Sequence, residues 1–387
     1  MLLSGRKVAP GEFVQEFETC VLPYWEPVLR VLHVIDSLIQ AGAEALVKDM
    51  VPRMRDAGLD VSVAVLKELD SPFERELREK EIPFLPTASG GIYSPAHVLS
   101  LKRHMHKFDV IQTYLFPAQL FAPLAATLAG SKVPLVLSEQ TTHNRRKRIW
   151  LRPLEKWMYG RYAAIACASD GIASSLRTWV PGLDEKITVI PNGIDIQTFE
   201  RAVPVPRSSV GINNGNCVLL YVARLEPQKD HANLLRALAQ IPDADLVLAG
   251  DGSLRSQLED QAKTLGVASR VHFLGRRKDV AELLQMADIY VHPAAFEGFG
   301  IAAAEALSAG KPVVASDVPG LAQVVGDAGI LVPPGDPGTL AREVRTLIQA
   351  HARRSELSKA AVERGRQFSI EKTVAAYIDL YRSVLSN

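Results

Sequence analysis

Cysteine is scarce in this sequence, and its scarcity excludes two kinds of stabilising chemistry. The 387 residues include three cysteines, Cys20, Cys167 and Cys217, which lie far apart and at no metal-ligand spacing. Because disulfide frameworks and zinc sites depend on suitably spaced thiols, neither is predicted. A reducing compartment, the cytoplasm, is therefore expected.

Net charge and long apolar runs are also lacking. Forty-four basic residues against 43 acidic ones give no overall field that attracts nucleic acid, so we expect no nucleic-acid partner. No uninterrupted apolar run reaches the length of about 18 residues that a membrane-spanning helix needs. Residues 1–27 include four glutamates and no compact apolar segment, so they are not predicted to be a signal peptide and are treated as an N-terminal extension.

Apolar residues are plentiful, at 47%, and they occur in two series of short runs separated by longer amphipathic segments. This alternation is typical of βα units that build a buried parallel sheet. The first series predicts strands at residues 29–35, 60–66, 108–113, 133–138 and 163–168. The second series predicts strands at residues 218–223, 245–249, 270–274, 288–292 and 312–315.

The polar stretch 204–216 separates the two series and is predicted to be a linker, because it contains two prolines and little to bury. A chain of this length also exceeds one ordinary hydrophobic core. We therefore predict an N-terminal extension (1–27), a Rossmann-like acceptor domain (28–203), the linker, a Rossmann-like donor domain (217–369) and a C-terminal helix (370–387). Loops after parallel strands share one edge of a sheet, so two such edges facing each other would enclose a ligand cleft.

The block from His292 to Ala306 places two carboxylates beside a glycine-rich turn. Glu297 follows a predicted strand in a loop with Gly298 and Gly300, and Glu305 lies about two turns along the next helix. Glycines let backbone N–H groups approach a ligand, and a helix N-terminus presents unpaired donors to an anion. On spacing alone, a loop charge and a solvated helix position are the simpler interpretation.

Arg224 and Lys229 follow the first strand of the second domain. On the ligand edge of the sheet, their guanidinium and ammonium groups would neutralise a diphosphate leaving group, although each alone is also an ordinary surface charge. The nearby sequence Ala249-Gly-Asp-Gly would let a nucleotide approach the backbone. Arg255 replaces the last glycine of the dinucleotide fingerprint, which argues against a nicotinamide cofactor.

Together these segments resemble the retaining glycosyltransferases of family 4, and the resemblance runs across most of the chain. It is carried, in order, by Ala41-Gly-Ala-Glu, Ile190-Pro-Asn-Gly-Ile-Asp, Ala223-Arg-Leu-Glu-Pro-Gln-Lys, Ala249-Gly-Asp-Gly, Phe273-Leu-Gly and the block from Glu297 to Glu305 continuing through Gly310-Lys-Pro-Val-Val-Ala-Ser. It implies an α/β fold of the GT-B type, with two facing Rossmann-like domains, parallel sheets and an interdomain cleft.

The resemblance also implies roles for individual residues. Glu297 would contact hydroxyls of the transferred sugar, Glu305 the donor ribose, and Arg224 with Lys229 the diphosphate. Gly42 would face the phosphates from the first domain, and the backbone amides of four consecutive residues would line the donor pocket. These four are Gly298, Phe299, Gly300 and Ile301. The family needs neither a cofactor nor a metal, and no Asp-x-Asp pattern lies near the proposed site.

The sequence departs from the family after Glu139, where many relatives have a histidine and this chain has Gln140. The nearest imidazole is that of His143, which would either contact the donor sugar and assist the acceptor or lie at the surface as a loop histidine. Gln140 would supply a neutral hydrogen bond. Because retaining transfer is often attributed to the leaving phosphate accepting the proton, the change is compatible with activity.

Residues 145–161 contain seven basic residues and one acidic residue, interleaved with Trp150, Trp157 and Tyr159. This composition suits an anionic membrane surface or a lipid-linked pyrophosphate acceptor. A solvated helix whose aromatic side chains pack inward explains it equally well.

The sequence therefore predicts a retaining glycosyltransferase that moves a hexose-type sugar from a UDP- or GDP-linked donor to a lipid-linked or oligosaccharide acceptor. Lipopolysaccharide, capsule or another exopolysaccharide is the expected product. The expected location is the cytoplasm, with peripheral contact at the inner face of the cytoplasmic membrane through residues 145–161. Two alternatives stay open: a nucleotide-sugar epimerase of the same architecture, and a catalytically degenerate protein that binds nucleotide sugar.

Overall fold

Thirteen strands and fifteen α-helices form two α/β units in the described part of the chain, residues 28–39, 42–141 and 148–386 of a computed structural model. The first unit is built on seven parallel strands in the order β3-β2-β1-β4-β5-β6-β7. They are β1 (Arg30–Ile35), β2 (Asp60–Val65), β3 (Phe84–Leu85), β4 (Val110–Tyr114), β5 (Leu135–Glu139), β6 (Ala164–Cys167) and β7 (Ile187–Val189).

Seven helices connect or follow these strands. They are α1 (Gly42–Asp56), α2 (Pro72–Glu79), α3 (Ala96–Lys102), α4 (Ala118–Ala129), α5 (Arg152–Gly160), α6 (Asp170–Trp179) and α7 (Ile196–Arg201). Local sequence explains where some of them begin. At the start of α2, the Ser71 side chain accepts a hydrogen bond from the Glu74 backbone while the Glu74 side chain accepts one from the Ser71 backbone, a complete capping box.

The second unit repeats this architecture with six parallel strands in the order β10-β9-β8-β11-β12-β13. The strands are β8 (Cys217–Val222), β9 (Ala244–Ala249), β10 (Val271–Gly275), β11 (Ile289–His292), β12 (Val313–Ser316) and β13 (Ile330–Val332). The helices are α8 (His231–Leu238), α9 (Arg255–Thr264), α10 (Val280–Met286), α11 (Ile301–Ser308), α12 (Pro319–Val325), α13 (Pro337–Gln349), α14 (His351–Gly365) and α15 (Ile370–Ser386).

The predicted fold class, two Rossmann-like units with parallel sheets, is confirmed. All ten predicted strand segments coincide with observed strands to within two residues. The three strands that the sequence did not predict, β3, β7 and β13, lie at sheet edges and span two or three residues each. Strands this short contain too few residues to show a hydrophobic pattern.

The strand order of each sheet indicates where a ligand binds. The order reverses between β1 and β4 in the first sheet and between β8 and β11 in the second. The loops that leave the carboxyl ends of these strands diverge to opposite faces, and the crevice between them is where open α/β sheets bind ligands. Gly42 follows β1, Arg224 follows β8, and Glu297 follows β11, so the predicted site residues lie at the two reversal points.

The C-terminal helix α15 packs against the first unit although it follows the second in sequence. Its Ile370, Val374, Tyr377 and Tyr381 are buried together with side chains of α1, β1 and β4. The Tyr377 and Ser138 hydroxyls lie 2.9 Å apart, and the Tyr381 hydroxyl donates to the Gln112 side chain. The chain thus crosses between the units twice, which ties the second unit to the first.

We predict that Tyr377→Ala lowers the free energy of unfolding by about 3–5 kcal/mol, because it removes a fully buried ring and its hydroxyl contact. Differential scanning calorimetry measures the effect, with Tyr93→Ala as the matched control because Tyr93 is 67% exposed. Equal melting temperatures for the two variants would show that α15 does not stabilise the first unit.

Candidate functional site

The N-termini of α1 and α11 meet where the two units face each other. A Cβ atom placed on Gly42, the first residue of α1, would lie 3.0 Å from Cδ1 of Ile301, the first residue of α11. No side chain caps α11, and Gly300 before it adopts a left-handed conformation with φ of +96°. Because helix N-termini attract negative charge, two of them on facing units form a favourable environment for an anion.

Gly298 forms a contact point between the units. A Cβ atom there would lie 2.7 Å from the carbonyl oxygen of Gln140, so only glycine lets the two backbones approach this closely. The Gly298 carbonyl oxygen also accepts a hydrogen bond from Ser169 Oγ at 2.7 Å. The loop that carries Glu297 is therefore held in position by residues of the opposite unit.

Lys229 and Glu297 form a partly buried ion pair in the loops that follow β8 and β11. The Lys229 ammonium donates to Glu297 Oε2, and their side chains are 14% and 18% exposed. His292, the last residue of β11, places Nε2 3.3 Å from the same carboxylate oxygen. Glu297 Oε1 accepts a hydrogen bond from the Gly298 backbone at 3.3 Å. These contacts fix the carboxylate while Lys229 keeps two N–H groups for another partner.

The surroundings keep Glu297 ionised. Burial acts to raise the pKa of Glu297, but the hydrogen bond from His292 and the positive charge of Lys229 outweigh it and lower that pKa to about 2. Burial lowers the pKa of His292 against the opposing effect of Glu297. We therefore assign His292 as a neutral imidazole that donates Nε2–H to the carboxylate at neutral pH.

Arg224 follows β8, and its positive charge acts on Glu44 of the facing unit. Its side chain is exposed and forms no hydrogen bond or ion pair with any residue in the described ranges. Backbone packing positions its loop, because a Cβ at Gly250 would lie 1.9 Å from the Ala223 carbonyl oxygen and one at Gly252 would lie 2.5 Å from that of Leu225. The glycines of the Ala249-Gly-Asp-Gly segment thus serve close contact with the Arg224 loop.

Glu44 in the first turn of α1 brings an acidic group towards Arg224. Burial, together with the negative charge of Asp36, raises the pKa of Glu44 to about 7, although its backbone hydrogen bond and the positive charge of Arg224 oppose the rise. A substantial share of Glu44 is therefore neutral at physiological pH. Sequence reasoning assigned no role to Glu44 or His292, since neither has a spacing that distinguishes it from an ordinary helix or strand residue.

Gln140 and Phe299 make contacts that the sequence did not predict. The Gln140 side chain forms a reciprocal amide pair with Asn192, at 2.7 and 3.1 Å, and donates to Ser138 Oγ at 2.8 Å. The Phe299 ring is buried and packs edge-to-face on Phe368, with ring centroids 5.5 Å apart. The predicted role of Phe299 therefore concerns its backbone amide, as it does for Gly298, Gly300 and Ile301.

The remaining predicted site residues are Glu305 and His143. The Glu305 side chain is half-buried on α11 and forms no hydrogen bond or ion pair within the described part of the chain. His143 lies outside the described residues. Among residues 28–39, 42–141 and 148–386, no three His, Cys, Asp or Glu side chains come together as a metal site.

A groove of about 490 Å³ runs beside Glu297 between the two units. One wall is the face of α6 that presents small and hydroxyl-bearing side chains, and the other is formed by the loops after β11 and β12. The lining residues are Gly171, Ser174, Ser175, Thr178, Trp179, Phe296, Glu297 and Pro319. Hydroxyl groups and aromatic rings of this kind suit a polar ligand with apolar faces, such as a saccharide.

Two family models match consecutive parts of this chain. Residues 41–198 match Glycosyltransferase Family 4, and residues 205–366 match Glycosyl transferases group 1. Each model covers one of the two α/β units, so the resemblance extends to both sides of the cleft.

Two individual proteins are also similar in sequence to this chain. The phosphatidyl-myo-inositol mannosyltransferase of Mycolicibacterium smegmatis is 28% identical over 365 residues, which is 89% of this chain and 91% of that protein. A glycogen synthase of Mycobacterium tuberculosis is 32% identical over 259 residues, 62% of this chain and 61% of that protein.

A solved structure shares the same arrangement of domains. HepE of Anabaena, in complex with UDP, superimposes with a TM-score of 0.80 at 26% identity, covering 92% of this chain and 100% of that one. HepE has also been solved with UDP-glucose. The two family models cover both units, and the HepE structure superimposes along 92% of the chain. This chain therefore belongs to the group 1, family 4 glycosyltransferases of the GT-B fold.

Proposed function

We propose that this glycosyltransferase transfers a hexose from a UDP- or GDP-linked donor to a lipid-linked saccharide, with retention of anomeric configuration. The observation that carries the proposal is the convergence of Arg224, Lys229 and two helix N-termini on the cleft where Glu297 is held ionised. Cations and helix N-termini stabilise a diphosphate, and a fixed carboxylate accepts hydrogen bonds from sugar hydroxyls. The UDP and UDP-glucose complexes of HepE support a nucleotide-sugar donor.

In this proposal, Arg224 and Lys229 stabilise the negative charge that develops as the glycosyl–phosphate bond breaks. Lys229 contributes the N–H groups that Glu297 does not use, while the α1 and α11 N-termini donate from both sides. The C1–O bond to the diphosphate breaks, and a bond from C1 to the acceptor oxygen forms on the same face. The acceptor proton passes to the departing phosphate oxygen, so no imidazole is required at position 140.

Two carboxyl groups near the proposed diphosphate site, those of Glu305 and Glu44, have raised pKa values. Burial raises the pKa of Glu305 to about 8, with the negative charge of Asp49 adding to the rise and the positive charge of Lys48 opposing it. A protonated Glu305 can donate to and accept from ribose hydroxyls without repelling the phosphates. Together with the raised pKa of Glu44, this preserves the positive field of Arg224 and Lys229.

We place the acceptor saccharide in the groove between α6 and the Phe296 loop, next to Glu297. The similarity of this chain to a phosphatidyl-myo-inositol mannosyltransferase supports an acceptor that is attached to lipid. The product would be a lipopolysaccharide, capsule or exopolysaccharide intermediate. Its synthesis would take place at the inner face of the cytoplasmic membrane, with residues 145–161 as the contact segment.

The purified protein should release the nucleotide from one of a panel of radiolabelled UDP- and GDP-sugars and move the label into lipid when membrane extract is added. NMR of the product should show the anomeric configuration of the donor. Isomerised donor without transfer would identify an epimerase, and binding without turnover would identify a degenerate protein. Either of these results, or an inverted product, contradicts the proposal.

Arg224→Ala should lower kcat by about a hundredfold or more, because it removes one preorganised stabiliser of the leaving diphosphate. The fold should be unaffected, since the Arg224 side chain is exposed and forms no hydrogen bond or ion pair among the described residues. Arg236→Ala on α8 is the matched control, because Arg236 is also exposed but lies away from the cleft. Near-normal turnover by the Arg224 variant would remove this cation from the site.

Glu305→Gln should change how stability depends on pH. Because the folded-state pKa of Glu305 is about 8, above its ordinary value of 4.5, the folded protein retains a proton that the unfolded chain releases between these values. The wild-type free energy of unfolding should therefore fall, relative to the variant, as pH rises from about 4.5 to about 8. Urea titrations across this range measure the difference, and Glu356→Gln at an exposed position of α14 is the control. Parallel curves for the wild type and the Glu305 variant would contradict the raised pKa.

A further inference from the structure

Helix α5 has an apolar stripe on the side where a surface helix is normally polar. Its inward stripe, Glu155, Met158 and Tyr159, is buried against the first unit. On the solvent-facing side, Trp150 in the turn before the helix, Leu154 and Trp157 follow one another at intervals of four and three residues, and all three are exposed. Spacing of this kind aligns side chains along one face of a helix.

The tryptophans of this segment do not pack inward. Trp150 is 67% exposed and Trp157 is 36% exposed, and Ile149 beside them is 73% exposed. Of the three aromatic residues in the segment, Tyr159 alone is buried, where its hydroxyl donates to Glu139 at 2.8 Å. Exposure of two indole rings beside two aliphatic side chains is costly in water and indicates a surface that another phase or molecule covers.

The charge of the segment that contains this stripe is positive. Residues 148–161 contain four basic side chains and one acidic one, a net charge of +3 in a chain whose total is +1. The acidic residue, Glu155, is buried and accepts a hydrogen bond from the Trp179 indole. Three of the four basic side chains are exposed, and they are Arg148, Lys156 and Arg161.

Helix α5 also contacts the wall of the groove beside Glu297. Trp179, which forms part of the groove wall, donates its indole N–H to Glu155 of α5 at 3.3 Å. The Arg152 guanidinium of α5 lies over the same indole ring, 5.8 Å from its centroid, and donates to the Trp179 carbonyl at 3.2 Å. Helix α5 is therefore held directly against the groove wall by side chains on its inner side.

We propose that the outward stripe of α5, Trp150, Leu154 and Trp157, docks on an anionic lipid bilayer, with Arg148, Lys156 and Arg161 contacting the headgroups. Indole rings prefer the bilayer interface, and lysine and arginine near it are attracted by negatively charged lipids. Docking brings the unit that forms one wall of the groove to the headgroup layer, where a lipid-linked acceptor is found. None of the helices in residues 28–39, 42–141 and 148–386 has the length and hydropathy to cross a bilayer. The docking surface deepens the proposed function, but its existence is testable without any transfer activity.

Vesicles of phosphatidylcholine, alone or with about 50% phosphatidylglycerol, test the surface by cosedimentation of the full-length protein. Binding should be at least about tenfold stronger on the anionic vesicles, and raising the salt from about 0.05 to about 0.5 M should weaken it. Tryptophan emission should shift to shorter wavelength on binding. Equal binding to both vesicles, or none to the anionic ones, overturns the proposal.

Two matched pairs of variants separate the stripe from general surface effects. The Trp150→Ala, Trp157→Ala double variant should bind anionic vesicles about tenfold or more weakly, whereas Val203→Ala, Leu385→Ala, at exposed apolar positions outside α5, should bind like the wild type. Arg148→Glu, Lys156→Glu should lose binding, and Arg353→Glu, Lys359→Glu on α14 should retain it. Unchanged binding by either α5 variant overturns the proposal.

Two further measurements complete the test. Multi-angle light scattering should give the same mass for the wild type and the tryptophan variant, because a dimer that only the wild type forms would mean that a second copy covers the stripe and would overturn the proposal. Donor hydrolysis without vesicles should be equal in the wild type and all α5 variants. A protein that binds anionic vesicles but hydrolyses no donor would contradict the proposed function and leave the docking surface standing.

Discussion

The ion pair between Lys229 and Glu297, which is partly buried, is the interaction on which the candidate site depends. A carboxylate removed from water is stable only if a cation and hydrogen-bond donors compensate for the lost solvation. Glu297 obtains them from Lys229, from His292 and from its neighbouring backbone N–H. All of these groups belong to the loops and strand ends of β8 and β11, which are neighbours because the strand order of the second sheet reverses there.

Backbone contact between the units holds this arrangement against the opposite side of the cleft. Gly298 rests on the Gln140 carbonyl, and Ser169 caps α6 while it donates to the Gly298 carbonyl. Gln140 is in turn fixed by Asn192 and Ser138, and Ser138 contacts Tyr377 of α15. The C-terminal helix is therefore coupled to the loop that carries Glu297 through a continuous set of hydrogen bonds and one glycine contact.

The electrostatics of the cleft favour anions because its acids differ in protonation. Glu297 is ionised but neutralised by Lys229, whereas burial raises the pKa of Glu305 and of Glu44. The positive charge of Arg224 and the N–H groups at the starts of α1 and α11 are thus opposed by little negative charge. The net charge of +1 for the whole chain does not reveal this local positive field. It also does not reveal the positive charge of residues 148–161.

The sequence alone determined the α/β class and the ten longer strands, because hydrophobic runs and their period are local properties. It also identified Arg224, Lys229 and Glu297 as polar residues at strand ends, since position after a buried strand can be read directly from the chain.

Only the tertiary structure paired Lys229 with Glu297, 68 positions away, and Gln140 with Asn192, 52 positions away. The tertiary structure also shows that Phe299 packs into the core and that Tyr159 is buried. The two tryptophans of residues 145–161 are exposed to solvent. The physical reason is that burial and pairing depend on which elements pack together, and distances across a fold leave no periodic signal in the sequence.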